Sequence, residues 1–244
     1  MPAVSETEVK PSACPLDCPD ACSLDVTIEA NKVVKIDGNH RNEITAGYIC
    51  RKVRHFPELM YGPDRLLHPE IRVGARGQGT FRRANWDEAL DLVAAKLAEA
   101  RDRFGAESIL PYCYGGSNGY LTQDSVDARF FRRLGASQLA RTVCAAAAGA
   151  ASKGLYGGMA GIAFADFACS KLIVLWGVNP SASGIHLVPF INEARKRGAK
   201  LVVVDPRTTP LAAGADLHLA VRPGTDVVVA LALHRWLFES GRTD

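Results

Sequence analysis

The pattern of apolar positions predicts a long amphipathic helix that begins after Asn85. Asn85 is followed three residues later by Glu88, which resembles a helix N-terminal capping box. Gly105 provides a stop signal at the other end of the segment. The apolar residues that recur along it at intervals of three and four are Trp86, Ala89, Leu90, Val93 and Leu97.

Shorter elements are predicted on either side of this helix. Residues 25–36 alternate apolar and polar side chains around Ala30-Asn31, which is typical of a β-hairpin. Residues 108–112 are predicted to form a short strand, which is followed by a glycine-rich loop over 115–119. A second amphipathic helix is predicted over 122–134 and ends at Gly135.

Residues 171–240 alternate predicted strands and helices. The run 171–176 is continuously apolar, which predicts a strand with both faces buried, as in a parallel sheet. Further strands are predicted over 200–205 and 216–221, with helices over about 187–197 and 226–240. Strand–helix–strand at this spacing is a βαβ unit, so the predicted fold class is α/β with a Rossmann-like parallel sheet.

The composition is that of an ordinary globular protein. Of 244 residues, 48% are hydrophobic and 23% charged, which excludes a disordered, collagenous or coiled-coil chain. The 29 Lys and Arg and 26 Asp and Glu form no basic stripe, so nucleic acid is not an expected partner. No apolar run approaches the length of about 20 residues that crosses a bilayer, and the polar N-terminus carries no secretion signal. We therefore expect no membrane insertion and a cytoplasmic location.

The seven cysteines require an explanation other than disulfides, because an odd number in a reducing compartment does not favour pairing. Pro15 and Pro19 each follow a cysteine and push it out of the α region. This predicts a loop that can place three thiolates around a single centre. Three close thiolates and a distant one suit an iron–sulfur cubane, whereas zinc sites more often use two C-x2-C pairs. The pattern favours an iron–sulfur cluster, with zinc or unligated thiols as alternatives. Its C-x3-C-x3-C-x27-C cysteines are Cys14, Cys18, Cys22 and Cys50.

Motifs along the chain resemble those of the molybdopterin oxidoreductases, the dimethyl sulfoxide reductase family. The resemblance begins with CPLDCPDAC at 14–22 and Cys50-Arg51-Lys52, covers nearly all of the chain after residue 11, and keeps the family's order. Members of the family are much longer, so the resemblance implies the N-terminal part of a catalytic subunit. The other matching motifs are YGPDRLLHP at 61–69, WDEAL at 86–90, WGVNP at 176–180, VVDPRTT at 203–209 and RPGTD at 222–226.

The resemblance implies two redox groups, a [4Fe–4S] cluster and a bis-molybdopterin guanine dinucleotide that carries molybdenum or tungsten. Lys52 matches a lysine that bridges cluster and pterin, where an ammonium would stabilise the reduced state. Without the resemblance, Lys52 is a solvated lysine in a basic stretch. The cluster ligands that the resemblance implies are Cys14, Cys18, Cys22 and Cys50.

Cys144 matches the position of the protein ligand of the molybdenum, for which a soft thiolate is suitable. Without the resemblance it is a small buried thiol in an alanine-rich helix. Ala145 stands where formate dehydrogenases of the family place a histidine, so formate oxidation is not expected. Cys113 and Cys169 match no motif and are interpreted as packing residues.

The ends of the predicted parallel strands carry candidate residues for the guanylate part of the cofactor, because ligands bind at that edge of such sheets. Arg207 would neutralise a pyrophosphate, Asp205 would accept from ribose hydroxyls, and the Asp226 carboxylate would face the N–H edge of guanine. The alternative is that these loops are plain turns and Asp226 is a helix cap. The complete set is Gly177, Asn179, Pro180, Asp205, Arg207, Thr208, Gly224 and Asp226.

The six histidines form no ligand spacing, and we expect them mostly on surfaces or in turns. The predicted organisation is a flexible leader over 1–10, an iron–sulfur domain over 11–68, an α/β segment over 69–140 and a truncated cofactor-binding segment over 141–244.

The predicted function is two-electron oxidation or oxygen-atom transfer on a small-molecule substrate, with a ferredoxin-like or other electron-transfer subunit as redox partner. The 244 residues alone are expected to be inactive without the remainder of the subunit. The alternative function is that of a zinc-stabilised, non-redox binding module with a Rossmann-like domain.

Overall fold

The computed structural model describes residues 7–113, 126–159 and 161–243, without the side chain of Cys144. The strands are β1 Glu8–Ala13, β2 Ser23–Glu29, β3 Lys32–Gly38, β4 Glu70–Arg72, β5 Phe81–Arg83, β6 Leu172–Trp176, β7 Lys200–Val204 and β8 Leu217–Leu219. The α-helices are α1 Arg51–Arg54, α2 Phe56–Tyr61, α3 Trp86–Phe104, α4 Val126–Leu134, α5 Cys144–Tyr156, α6 Phe164–Phe167, α7 Leu187–Lys196, α8 Pro210–Ala213 and α9 Asp226–Glu239.

Three antiparallel strands, in the order β1-β2-β3, form the N-terminal sheet. The predicted hairpin is confirmed: Ala30 and Asn31 join β2 to β3 with φ of 47° and 61°, the left-handed values of a tight hairpin turn. The prediction of a flexible leader over 1–10 is wrong for residues 8–10, which pair with β2. Their strand forms because the free edge of β2 offers hydrogen bonds, which the polar local sequence does not reveal.

The predicted capping of α3 is confirmed at both ends. Asn85 Oδ1 accepts the backbone N–H of Glu88 at 2.8 Å, and Gly105 closes the helix with φ of 85°. The carboxylate of Glu88 pairs with the Arg82 guanidinium, which holds the pKa of that carboxyl below its usual value. The helix start therefore combines an N-cap with an ion pair to β5.

The prediction of a strand over 108–112 is wrong. A 3-10 turn occupies Ala106–Ser108, and the following extended segment has the Ser137 amide bonded to the Ile109 carbonyl at 3.0 Å. A strand requires a continuous ladder, and the described residues provide none here. The predicted loop at 115–119 and the start of the helix over 122–134 lie outside the described residues, whereas its described part, α4, ends at Gly135 as predicted.

The last part of the chain forms a parallel sheet in the order β6-β7-β8, with α7 between β6 and β7. This confirms the α/β fold class. Burial of both faces of β6 is not observed: Ile173 and Leu175 are 4% exposed, but Leu172 and Val174 are 57% and 48% exposed. Among the described residues, one face of the sheet packs into a core. Its buried members are Ile173, Leu175, Ile191, Ala194, Ala199, Leu201, Val203, Leu211 and Ala212.

Contacts divide the chain into two compact units. Unit 1 consists of Met1–Cys14, Cys18–Arg54 and Gly161–Asp244, and unit 2 of Pro15–Asp17 and His55–Ala160. Unit 1 therefore combines the cysteine-bearing segments with the parallel sheet, although they are far apart in sequence. In the described parts of both units, no helix is long and apolar enough to span a membrane.

Candidate metal and cofactor site

The four cysteines of the predicted cluster all belong to unit 1. Cys14 directly follows β1, Cys22 directly precedes β2, and Cys50 directly precedes α1. The Cys14 amide donates to the Cys22 carbonyl at 2.8 Å, which closes the loop that contains Cys18. Cys22 is buried, and the other three are half-buried.

The electrostatics of Cys22 show that the four thiols lie near one another. The pKa of Cys22 is raised to about 12, chiefly by burial and next by the nearby charge of Asp20. Cys14, Cys18 and Cys50 follow as smaller contributions in the same direction. Four thiols gathered at one partly exposed point provide the donor set of an iron–sulfur cluster, so the chemistry of these residues fits the group.

The segment that carries Cys50 is held by close backbone contact with the end of β3. A Cβ atom at Gly38 would lie 2.4 Å from the carbonyl carbon of Gly47 and 2.6 Å from the Tyr48 amide nitrogen. Gly47 has φ of 76°, a value that favours glycine. Neither glycine carried a signal in the sequence analysis, because their role depends on this close approach.

Lys52 connects the cysteine segment to the loop after β6. Its Nζ donates to the Ala182 carbonyl at 2.5 Å and lies 3.2 Å from Ser183 Oγ. Lys52 is exposed, as a solvated lysine would be, but these contacts place its ammonium on a loop that also contains predicted cofactor residues.

That loop contains a buried acceptor without a donor. Gly177 leaves β6 with φ of 62°, and no other described atom lies within 4 Å of the position that its Cβ would take, apart from its chain neighbours. Asn179 Oδ1 is buried and has no hydrogen-bond partner among the described residues. The next residue, Pro180, is buried. A buried acceptor without a partner fits a ligand that brings its own donor.

The loop after β7 is shaped by Asp205, one of the predicted cofactor-binding residues. Asp205 Oδ1 accepts the Arg207 amide at 2.8 Å, and the Asp205 carbonyl accepts from His218 Nε2 at 2.9 Å. The first bond is an Asx-type turn, which leaves Arg207 and Thr208 exposed. One carboxylate oxygen of Asp205 is thus occupied by a backbone amide.

The loop after β8 returns to the end of β6. Gly224 has φ of 83°, and Asp226 begins α9. Asp226 Oδ1 accepts the indole N–H of Trp176, the last residue of β6, at 2.7 Å. The structure therefore brings the first and third of the predicted strand-end loops together.

The sequence analysis missed the role of two buried residues beside Cys22. His186, which was expected on a surface or in a turn, is fully buried, and its Nδ1 lies 2.7 Å from Asp20 Oδ2 and 3.9 Å from Cys22 Sγ. Potential metal-ligand atoms of Asp20, Cys22 and His186 lie within 4.8 Å of one another. The position of Asp20 between two cysteines was a signal for this role, whereas nothing local marked His186.

The other cysteines have separate environments. Cys144 is the first residue of α5, and its side chain lies outside the described part of the structure. Cys169 is exposed, so its interpretation as a packing residue is wrong. Cys113 is half-buried, and its Sγ accepts from Arg141 at 3.4 Å.

The grouped cysteines and the parallel sheet with open strand ends define an α/β protein whose residues suit a metal cluster and a nucleotide-like cofactor. Comparison with family models specifies the class further. The model "Molybdopterin oxidoreductase Fe4S4 domain" matches residues 7–62, and the model "Molybdopterin oxidoreductase" matches residues 65–244. The chain belongs to the molybdopterin oxidoreductase family and contains its Fe4S4 domain.

Individual relatives agree with this assignment. The chain is 39% identical over 242 residues to the probable oxidoreductase YoaE of Bacillus subtilis (strain 168), covering 99% of this chain and 36% of that protein. It is 31% identical over 260 residues to the dimethyl sulfoxide reductase DmsA of Escherichia coli (strain K12), covering 96% and 31%. Acetylene hydratase from Pelobacter acetylenicus superposes with a TM-score of 0.68 at 27% identity, covering 96% and 32%. The chain spans about a third of the length of these relatives.

Proposed function

We propose that this chain is the N-terminal part of a molybdenum-dependent oxidoreductase that passes electrons between a molybdenum or tungsten centre and a [4Fe–4S] cluster. The observation that carries the proposal is the convergence of Cys14, Cys18 and Cys50 on the buried Cys22 within a family Fe4S4 domain. The reaction is two-electron oxidation or oxygen-atom transfer on a small molecule, and the metal centre supplies that chemistry when it is bound.

The residues of the chain act by holding and orienting these groups. The four cysteines would hold the cluster as thiolates, and the buried Cys22 thiol would give up its proton when iron binds. Lys52 keeps an ammonium beside the cysteine segment, anchored by Ala182 and Ser183, where its charge favours the reduced state. The lysine would thus link the cysteine segment to the loop after β6, which carries proposed guanylate-binding residues.

The strand-end loops bind one guanylate of the pterin cofactor. The open space at Gly177 and Gly224 permits close approach of the ligand to the backbone. Exposed Arg207 would neutralise the pyrophosphate, and the second carboxylate oxygen of Asp226 would accept from the N–H edge of guanine. The complete proposed set is Gly177, Asn179, Pro180, Asp205, Arg207, Thr208, Gly224 and Asp226.

The remainder of a longer subunit would hold the second guanylate, and an electron-transfer subunit would exchange electrons with the cluster. Support for a longer subunit comes from the relatives, of which this chain spans about a third. Formate oxidation is not proposed, because Ala145 stands next to Cys144 where a histidine is expected.

Metal analysis of protein purified without oxygen tests the cluster. We expect about four irons per chain and a broad visible absorbance that dithionite bleaches. Cys18→Ala should lose the iron and the colour, whereas the matched variant Cys169→Ala should keep both, because Cys169 is exposed and outside the cluster. Full iron content in Cys18→Ala would disprove the ligand assignment, and a colourless protein that contains zinc would favour a zinc-stabilised, non-redox module.

Cys144 is proposed as the protein ligand of molybdenum, on its position in the family motif. Cys144→Ala in the complete enzyme should abolish turnover and leave the cluster spectrum unchanged. X-ray absorption at the molybdenum edge should lose one sulfur neighbour. An unchanged edge spectrum would return Cys144 to a packing role.

A further inference from the structure

One loop of unit 1 connects the cysteine-bearing segments with the proposed guanylate site. This nucleotide loop runs over residues 177–186, from the end of β6 to the start of α7. Three proposed guanylate residues lie at its start, and His186 is its last residue. It faces the cluster loop, residues 14–22, which carries three of the four cysteines.

His186 attaches the end of the nucleotide loop to the cluster loop. Its side chain is fully buried, and its Nδ1 lies 2.7 Å from Asp20 Oδ2. Its backbone amide donates to the same carboxylate oxygen at 3.4 Å. A Cβ atom at Gly184 would lie 3.8 Å from the side chains of Pro19 and Asp20, so the two loops run directly against each other.

His186 also contacts the segment that carries Cys50. Its Nε2 lies 3.0 Å from the carbonyl oxygen of Tyr48, and the Tyr48 ring packs on the imidazole with a centroid separation of 4.1 Å. A single buried side chain therefore joins the nucleotide loop to both cysteine-bearing segments. Buried polar groups keep such partners because no water is there to replace them.

Lys52 makes a second connection, nearer to the guanylate residues. Its Nζ donates to the Ala182 carbonyl at 2.5 Å and lies 3.2 Å from Ser183 Oγ. The backbone amides of Ala182 and Ser183 in turn donate to the Asn179 carbonyl at 3.0 and 3.1 Å. Asn179 Oδ1 is buried and has no hydrogen-bond partner among the described residues. The acceptor that suits a ligand is thus positioned by residues that Lys52 holds.

The cluster loop depends on its surroundings for its own conformation. Ala21, between Asp20 and Cys22, has φ of 44°, a left-handed value that is unfavourable for alanine. Such a conformation persists only where neighbouring groups hold it in place. A group bound to the cysteines would hold it from one side, and the nucleotide loop holds it from the other.

We propose that His186 is a positioning residue for guanylate binding: with Lys52 it holds the nucleotide loop on the cluster loop, so that iron and guanylate strengthen each other's binding. This inference rests on the proposed function, because it requires a cluster on the four cysteines and a guanylate on the nucleotide loop. A bound cluster links the cluster loop to Cys50 and fixes the surface on which the nucleotide loop rests. A guanylate that meets a loop already in place loses less freedom on binding.

Calorimetric titration with GDP tests this coupling. Protein purified without oxygen is titrated with its iron in place and again after a chelator and an oxidant have removed the iron. We expect the iron-loaded protein to bind GDP about tenfold more tightly, within the range that is usual for coupled sites. Equal GDP affinity in the two forms would overturn the inference.

Substitutions at His186 locate the coupling, and they are compared with one another in the iron-loaded state. His186→Ala removes the ring contacts to both cysteine-bearing segments and should bind GDP about tenfold more weakly than the unmodified protein. His186→Gln retains a side-chain donor and should recover part of this loss, which a general packing defect would not produce. His234→Gln is the matched control, because His234 is exposed on α9, and it should keep the full affinity.

Lys52→Met decides the question if His186→Ala does not retain iron. Lys52 is exposed, so this substitution removes the bonds to Ala182 and Ser183 without leaving a buried gap. The ratio of GDP affinities between the iron-loaded and iron-free forms should fall below that of the unmodified protein. An unchanged ratio would overturn the inference.

The inference and the proposed function fail in different ways. An unmodified protein that holds no cluster, or that binds no GDP in its iron-loaded state, would overturn the proposed function. GDP binding that does not respond to iron, or that keeps its full strength in iron-loaded His186→Ala, would overturn only the coupling.

Discussion

The indole N–H of Trp176 donates to Asp226 Oδ1 at 2.7 Å, which joins the end of β6 to the start of α9 across 50 residues of sequence. The bond holds one carboxylate oxygen and thereby fixes the direction of the other. A carboxylate that is oriented before the ligand arrives loses less freedom on binding. Trp176 is thus a positioning residue for the proposed guanine contact.

Removal of this bond should weaken guanine recognition. We expect Trp176→Phe to bind GDP about tenfold more weakly, a change of about 1.4 kcal/mol. The measurement is calorimetric titration of the cofactor-free protein with GDP. Trp236→Phe is the matched control, because Trp236 lies on the exposed surface of α9 and packs on Arg242. Equal GDP affinity in the Trp176→Phe and unmodified proteins would contradict the role of Trp176.

Gly38 should be required for iron binding. In Gly38→Ala the added methyl would lie 2.4 Å from the backbone of Gly47, so the segment that carries Cys50 must move. We expect a loss of about 1–3 kcal/mol of stability together with reduced iron content. Gly154→Ala is the control, because Gly154 is helical and its Cβ position is open. Iron analysis and urea unfolding check both variants, and normal iron in Gly38→Ala would disprove the close packing.

Asp216 should stabilise the parallel sheet in a pH-dependent way. Its carboxylate accepts from Lys200 Nζ at 2.8 Å and from the Leu201 amide at 2.9 Å, and these bonds lower its pKa. A carboxyl whose pKa is lower in the folded than in the unfolded protein stabilises the fold at pH values above its ordinary pKa of about 3.9. This stabilisation is lost as the pH falls through the pKa of the carboxyl in the folded protein. In thermal unfolding of the metal-free protein, Asp216→Asn should melt lower at pH 7, and the difference should shrink below about pH 4. A difference in melting temperature that grows on acidification would contradict the prediction.

The two faces of the parallel sheet should respond differently to truncation. Leu201 is 0% exposed in the core, so Leu201→Ala should cost about 2–5 kcal/mol. Leu172 is 57% exposed, so Leu172→Ala should change the stability of the 244-residue chain by about 0.5 kcal/mol or less. Urea unfolding of the two variants compares them directly. Similar losses for both would mean that the two faces are equally buried.

Local sequence was sufficient where a few neighbouring residues decide the conformation. The hairpin turn at Ala30-Asn31 and the cap at Asn85 depend on backbone preferences and on hydrogen bonds between residues close in sequence. Such preferences act before any distant segment arrives, so they could be predicted. The same holds for the parallel βαβ unit, which follows from the order of its apolar runs and their spacing.

Tertiary structure decided the relationships between distant segments. Local sequence gave no sign that residues 8–10 would add a strand to β2, that one face of β6 would stay exposed, or that Gly38 would pack against Gly47. Each outcome depends on which other backbone or side chain arrives at that point. Periodicity along one segment carries no information about its neighbour.

The candidate site divides in the same way. The sequence alone determined which cysteines and which loops were candidates, because their spacing and their positions after apolar runs are local properties. Only the folded chain placed Lys52 on the loop 130 residues away and His186 against Asp20 across 166 residues. Contacts of this kind form when the apolar core brings segments together, and burial then makes each polar group require its partner.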